Sequence, residues 1–231
     1  MKRFYQKAEP ATRAGGYAIT LDGKPIKTPG KRDLLVPSGA LAAVIAEEWN
    51  AQETEIRAAT MPLTRLATTT VDRVATQREV IVRQTANYAA TDLVCYRAAH
   101  PPALAARQQA VWQPLIDWAA LRYDAPLVVT SGVIPERQSA ESLRAFAAAV
   151  AEHDDFTLTA LHAATAACGS LIIALALLEG RFDAQEAFAA SQHDESFQIE
   201  GWGEDAEQAE LRRALAADIQ AAVRFISLLR A

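Results

Sequence analysis

The stretch FTLTALHAATAACGSLIIALALLEG, residues 156–180, decides the fold. From Leu158 to Leu178 it carries no charged side chain and no proline. Its apolar residues fall on every face rather than in one stripe, the pattern of a helix buried all round. A membrane span needs ~20 consecutive mostly apolar residues. Here Thr159, His162, Thr165 and Ser170 interrupt the run, and its most apolar part is only Leu171 to Leu178. The stretch therefore reads as the central helix of a helical domain, with no membrane insertion. Ala163, Ala164, Ala166, Ala167 and Gly169 keep one half thin enough for close neighbours. Leu171, Ile172, Ile173, Leu175, Leu177 and Leu178 fill the other half, and Gly180 supplies a left-handed stop. On this reading a leucine at Gly169 should overpack the core by ~1–3 kcal/mol.

Upstream, residues 1–38 read as a small antiparallel sheet. Tyr17, Ile19 and Leu21 alternate, Asp22-Gly23 is a two-residue hairpin signal, and Lys24 to Thr28 returns. Pro25 confines that return to a sheet edge or breaks its ladder. Pro29-Gly30 makes a second turn before a third strand at Asp33 to Val36. Gly15-Gly16 separates these from a first strand around Arg3 to Gln6. Ser38 caps a helix carrying Leu41, Val44, Ile45 and Trp49. Glu55 to Arg57 offers a short strand, Met61-Pro62 starts another helix, and a further one ends near Thr91.

The remainder reads as helical, with a domain boundary in the region 75–100, set at residues 85/86. Pro114 should kink or split a helix that begins after His100-Pro101-Pro102. Leu127 to Thr130 is a lone strand-like run closed by Ser131-Gly132. Helices follow over Ser139 to Ala151 and Ala184 to Ala190, and the last over Glu204 to Leu229. Its acidic first turns and its later arginines suit the helix dipole. Gly201-Trp202-Gly203 reads as the turn before it. The fold class is thus α+β: residues 1–85 as an N-terminal domain of sheet and helices, residues 86–231 as an all-α domain.

Composition narrows the function. A chain of 231 residues with 51% hydrophobic and 22% charged residues can bury a full core, which leaves no case for long disorder. A net charge of −5 argues against a nucleic-acid binder. Cys95 and Cys168 each lie in an apolar stretch and read as buried, reduced thiols. The start, MKRFYQKAEP, has no apolar signal core.

No convergent catalytic set is evident. His162 reads as a hydrogen-bonded core residue and His153-Asp154-Asp155 as a solvated turn. His193-Asp194-Glu195 with Glu200 lacks the paired His or Cys spacing of a zinc site, so neither metal nor other cofactor is expected. No phosphate loop, dinucleotide fingerprint or nucleophile elbow is present. Asp92 with Tyr88 and Tyr96, spaced four apart, would line a pocket of a small-molecule hydrolase or transferase if that segment were helical. Boundary packing around a hydrogen-bonded carboxylate is the competing reading.

Several strings together resemble a known family. They are RFY at 3–5, LDGKPIKTP at 21–29, AEEWNAQ at 46–52, MPLTRLATTTVDRV at 61–74, YAATDLVCYRA at 88–98, WQPLIDWA at 112–119, GSLIIALALLEG at 169–180 and WGEDAE at 202–207. In this order they are similar to the assembly chaperones that handle the α subunit of the ATP synthase F(1) sector, best known from mitochondria. The resemblance spans nearly the whole chain. It implies a C-terminal orthogonal helical bundle and a non-enzymatic, ATP-independent chaperone, expected as a monomer in a bacterial cytoplasm because no mitochondrial import extension is seen.

A free α subunit would expose the large apolar surface that later packs on the β subunit. The acidic stretch Asp194 to Glu210 is the candidate client contact on that resemblance. Glu195, Glu200, Glu204 and Asp205 surround Phe197 and Trp202 there, giving aromatic anchors with a charged rim. The competing reading makes Phe197 and Trp202 core residues that pin the last helix, with the acids solvated. Glu195 and Glu200 are expected on an exposed loop.

Overall fold

The computed structural model describes residues 1–131 and 136–231. Strand β1 (Ala8–Arg13) pairs antiparallel with β2 (Gly16–Leu21), Ala8 opposite Leu21 and Arg13 opposite Gly16. Asp22 and Gly23 both take positive φ, 48° and 82°, and turn the chain back into β3 (Lys24–Pro25). Such mirrored turns match the right-handed twist of paired strands. The ladder ends at Pro25, which cannot donate. β4 (Leu35–Val36) pairs with β2 through Ala18 and Tyr17.

The first strand is thus not around Arg3 to Gln6, before the Gly15-Gly16 break, but Ala8–Arg13. Residues 3–6 lie in no strand; beside them Lys2 makes an isolated bridge to Glu55, and Arg3 N donates to Thr54 O at 2.9 Å. The Arg3 guanidinium donates to the carbonyls of Tyr5, Gln6, Asn50 and Gln52, which ties it to residues 50–52 instead of to the sheet.

Helix α1 (Gly39–Asn50) is capped by Ser38 and lays Leu41, Ala42, Ile45 and Ala46 into the core beside β1 and β2. Helix α2 (Pro62–Thr69) continues through a π turn, Thr70–Val74. Met61 supplies no side-chain cap to α2. Glu48 of α1 does so, accepting from Leu63 N and Thr64 N at 2.8 Å each and from Thr64 Oγ1 at 2.7 Å. In the π turn, Asp72 accepts from Thr28 Oγ1 and Gly30 N, both at 2.7 Å, and from Arg32 Nη1 at 2.8 Å. A Cβ on Gly30 would lie 2.5 Å from the Asp72 carboxylate, so only glycine permits this approach.

Next come α3 (Arg78–Ala86), two 3₁₀ turns at Asn87–Thr91 and Leu93–Cys95, and β5 (Tyr96–Arg97). Helix α4 (Pro102–Tyr123) runs 22 residues with Pro114 inside it and is not split. The strand-like run is not alone: its end forms β6 (Thr130–Ser131), parallel to β5. Gly132, expected to close it, lies outside the described residues. Helix α5 (Ala140–Ala151) is capped by Ser139.

The stretch read as one central helix is two: α6 (Asp155–Cys168) and α7 (Leu171–Leu178). Gly169 takes φ +64° and breaks the helical path. It is exposed, and a Cβ there would meet nothing within 4 Å, so the expected overpacking has no basis. All eight residues of α7 are buried, as its composition demands. Helices α8 (Ala184–Ser191), α9 (His193–Trp202) and α10 (Ala206–Leu229) complete the chain.

The fold is α+β, a small N-terminal antiparallel sheet followed by helices. The residues group into two compact units. One holds Met1–Arg78, Asp155–Ala160 and Arg224–Ala231; the other holds Glu79–Asp154 and Leu161–Val223. The first is cored by Ile19, Leu34, Leu41, Ile45, Leu63 and Leu158, with Phe156 stacked on Phe225. The second is cored by Ile81, Trp112, Phe146, Leu161 and α7. There Thr85 Oγ1 lies 2.9 Å from His162 Nδ1, making His162 a hydrogen-bonded packing residue. Cys95 and Cys168 are free and buried, and burial pushes each thiol up to about 12. Among the described residues no helix is long and apolar enough to cross a membrane.

Candidate client-binding site

Glu195, Phe197, Glu200 and Trp202 lie on helix α9, not on a loop. The glycine-rich end suggested a turn, yet Gly201 falls within the last helical turn. Gly203, at φ +84°, closes the helix by donating its N–H to Ile199 O at 2.8 Å. Asp194 and Glu195 in the first turn suit the positive end of the helix dipole. Those acids, not the glycines, were the informative signal.

One side of α9 is fastened to α4. Asp194 Oδ1 accepts from Gln108 Nε2 at 2.7 Å, and Gln108 Oε1 accepts from Ala98 N at 2.7 Å. His193 meets the Trp112 ring edge-on at 5.9 Å, and Trp112 Nε1 donates to Ala190 O at 2.9 Å. The Arg107 guanidinium sits 5.2 Å from the Phe197 ring centroid. Its Nη1 donates to both Glu200 oxygens, at 2.9 and 2.8 Å. Nothing in the sequence singled out Arg107 as the partner of Glu200.

Two further candidates also serve the chain itself. Asp205 caps α10, its Oδ1 accepting from Gln208 N at 2.8 Å. Glu204 pairs with Arg212 at 3.2 Å, and Arg212 also donates to Ser196 Oγ at 3.1 Å.

That leaves Glu195 and Trp202. Residues 195, 198, 199 and 202 recur at the i, i+3, i+4, i+7 spacing of one helix face. Glu195, Gln198, Ile199 and Trp202 therefore form a stripe on the side of α9 turned away from Phe197. Trp202 is 85% exposed. Glu195 makes no salt bridge among the described residues. A large apolar ring with an uncommitted carboxylate two turns away can seat a partner without disturbing the fold.

The other sequence candidates do not form a reactive centre. Tyr88, Asp92 and Tyr96 do not share a helical face, because Asp92 is extended between two 3₁₀ turns. Its carboxylate is fully buried and caps α7, accepting from Leu171 N at 2.8 Å and Ile172 N at 3.1 Å. Burial raises its pKa to about 6 against the opposing pull of hydrogen bonds from Ser170 and the backbone. Among the described residues no group of three or more His, Cys, Asp or Glu side chains is placed to hold a metal ion.

Residues 2–120 match the family model of the ATP12 chaperone protein, just over half of the chain. The chain belongs to the ATP12 chaperone family. The crystal structure of Atp12 from Paracoccus denitrificans is 43% identical and superposes with a TM-score of 0.94, covering 99% of this chain and 98% of that one. An aspartate-to-lysine variant of the same P. denitrificans protein matches with the same figures. The mitochondrial protein atp12 of Schizosaccharomyces pombe is 24% identical over 221 residues, 90% of this chain and 76% of that one. This member of the family is a chaperone of ATP synthase assembly, not an enzyme.

Proposed function

We propose that this ATP12 family member holds the free α subunit of the F(1) sector in the bacterial cytoplasm, until the β subunit takes its place. The observation that carries the docking face is Trp202, 85% exposed at the end of a helix whose opposite side is fastened by Phe197, Asp194 and Glu200. An exposed indole on a rigid support loses little conformational freedom on binding, and aromatic anchors dominate interface energetics. The stripe from Glu195 to Trp202 supplies the apolar anchor and one rim charge, which suits a contact that must later be released.

The test is to dilute denatured α subunit into the chaperone and measure the fraction kept soluble. Trp202→Ala should weaken holding by ~2 kcal/mol or more, as anchor truncation does, while the variant alone melts as the wild type. Holding at wild-type potency would remove α9 as the docking face. No capture of α subunit by the wild-type chain would remove the client assignment itself.

A further inference from the structure

Away from α9, the sheet unit carries a second apolar surface. Two cavities meet there, one of about 340 Å³ and one of about 430 Å³, sharing Ile26, Lys27 and Trp49 as a common wall. Pro29, Ile56, Met61 and Thr68 line the first; Met1, Phe4, Tyr5 and Pro25 line the second. Phe4 is 67% exposed and Met1 75%, so the apolar surface spills out of the cavities. Trp49 Nε1 has no hydrogen-bond partner among the described residues, so no bond to the protein is lost when this ring turns toward an occupant.

Among the residues lining this groove the cations outnumber the acids, Lys24, Lys27 and Arg65 against Asp22. Lys24, Lys27 and Arg65 stand on its rim, all exposed. Lys27 has only a solvent-exposed contact with Asp33 at 3.2 Å. Of the acids nearby, Asp33 faces Lys27, while Asp22 and Glu48 are held by backbone donors. Asp22 accepts from Gln6 N and Lys7 N, and Glu48 accepts from Leu63 N and Thr64 N. A positive, apolar groove on a chain of net charge −5 stands against the general field of the molecule.

We infer that this groove is a binding site for an extended polypeptide segment that alternates apolar and acidic residues. One apolar side chain would enter each cavity, on either side of Trp49, and the segment's carboxylates would face Lys24, Lys27 and Arg65. The site uses none of the residues of α9. It gives the chaperone a second hold, selective for acidic apolar stretches of an unassembled chain.

The experiment uses the full chain and fluorescence anisotropy with a labelled synthetic peptide alternating glutamate with leucine and phenylalanine. Two control peptides carry lysine or serine in place of glutamate. The glutamate peptide should bind about tenfold or more tightly than either control, and its affinity should fall as salt is raised. Combined reversal by Lys24→Glu, Lys27→Glu and Arg65→Glu should abolish that preference, and Phe4→Ser should weaken the glutamate peptide severalfold. All four residues are exposed, so melting should stay at the wild-type value. Should the triple variant fail to fold, the peptide ranking and salt dependence on the wild-type chain decide alone. Equal binding of the three peptides, or salt-independent binding, overturns the proposal. Trp202→Ala should bind the peptide normally, so failure of the α9 docking reading and failure of this one are told apart.

Discussion

Ser170 Oγ donates to Asp92 Oδ1 at 2.5 Å, with both residues fully buried. This contact joins two segments that are 78 residues apart in the chain. Ser170 also accepts from Ile173 N at 3.0 Å, while the second Asp92 oxygen takes the N–H groups of Leu171 and Ile172. A buried carboxylate is thereby used to satisfy the orphan donors at the start of an entirely buried helix.

The arrangement gives stability a specific pH dependence. The pKa of Asp92 is about 6 when folded, above its ordinary 3.8, because desolvation outweighs its hydrogen bonds. The folded state therefore keeps a proton that the unfolded state releases, and stability contributed by this group falls as pH rises from about 4 to about 6. The span corresponds to roughly 3 kcal/mol. Asp92→Asn should remove that slope. Denaturant unfolding of both proteins between pH 4 and pH 7 checks it: the wild type should lose ground to the variant as pH rises, and parallel curves would refute the assignment.

Gly169 now predicts something different from a packed-helix position. Its φ of +64° is strained for any residue with a Cβ, but the space beside it is open. Gly169→Ala and Gly169→Leu should therefore cost about the same, ~1–2 kcal/mol, with Gly169→Asn milder because asparagine tolerates this conformation. Denaturation midpoints separate the mechanisms: a leucine variant much weaker than the alanine variant would restore the overpacking view.

The helices that the sequence disclosed best were those with a cap and a stripe. Ser38 and Ser139 mark starts, and Asp22-Gly23 marks the hairpin. The break after Cys168 was hidden because the residues on both sides are equally apolar, so periodicity had no edge to detect. Gly169 at φ +64° and the Ser170 cap cut the run, and Asp92, 78 positions before Ser170, captures the new helix start with its carboxylate. The family-like strings behave similarly. RFY reaches AEEWNAQ through Arg3, LDGKPIKTP reaches MPLTRLATTTVDRV through Asp72, and YAATDLVCYRA reaches GSLIIALALLEG through Asp92. These strings encode joints of the fold. WGEDAE is mixed: Glu204 and Asp205 serve the start of α10, while Trp202 faces solvent, 85% exposed. The candidate site was legible as composition only; that Glu200, Glu204 and Asp205 serve the chain's own structure depends on Arg107, Arg212 and the α10 start.

Asp72 offers a direct test of one joint. Burial works to raise its pKa, but hydrogen bonds from Thr28, Gly30 and Arg32 prevail and hold it below the ordinary value. Asp72→Asn would turn an amide donor toward at least one of these donors. The expected loss is ~1–3 kcal/mol, the cost of leaving a buried or charge-assisted bond unmade. Urea unfolding should show a lower midpoint at unchanged slope. A midpoint equal to wild type would mean that the turn at Pro29-Gly30 holds without this carboxylate.

The last prediction separates the acids of α9 by what each already does. Glu200 is spent on Arg107 in an exposed pair, and exposed pairs contribute little, ~0–1 kcal/mol. Glu200→Gln should thus leave melting within a degree or two and, because its charge is already neutralised, leave client holding nearly intact. Glu195 has no such partner among the described residues and shares the helix face of Trp202. Glu195→Lys should reduce the association rate with α subunit and reverse its salt dependence, the signature of a rim charge facing a basic client patch. Surface plasmon resonance at low and high salt reads both variants, with thermal melting as the fold control. If Glu200→Gln slows association while Glu195→Lys does not, the client meets the Arg107 side of α9 and the docking face must be turned by half a helix.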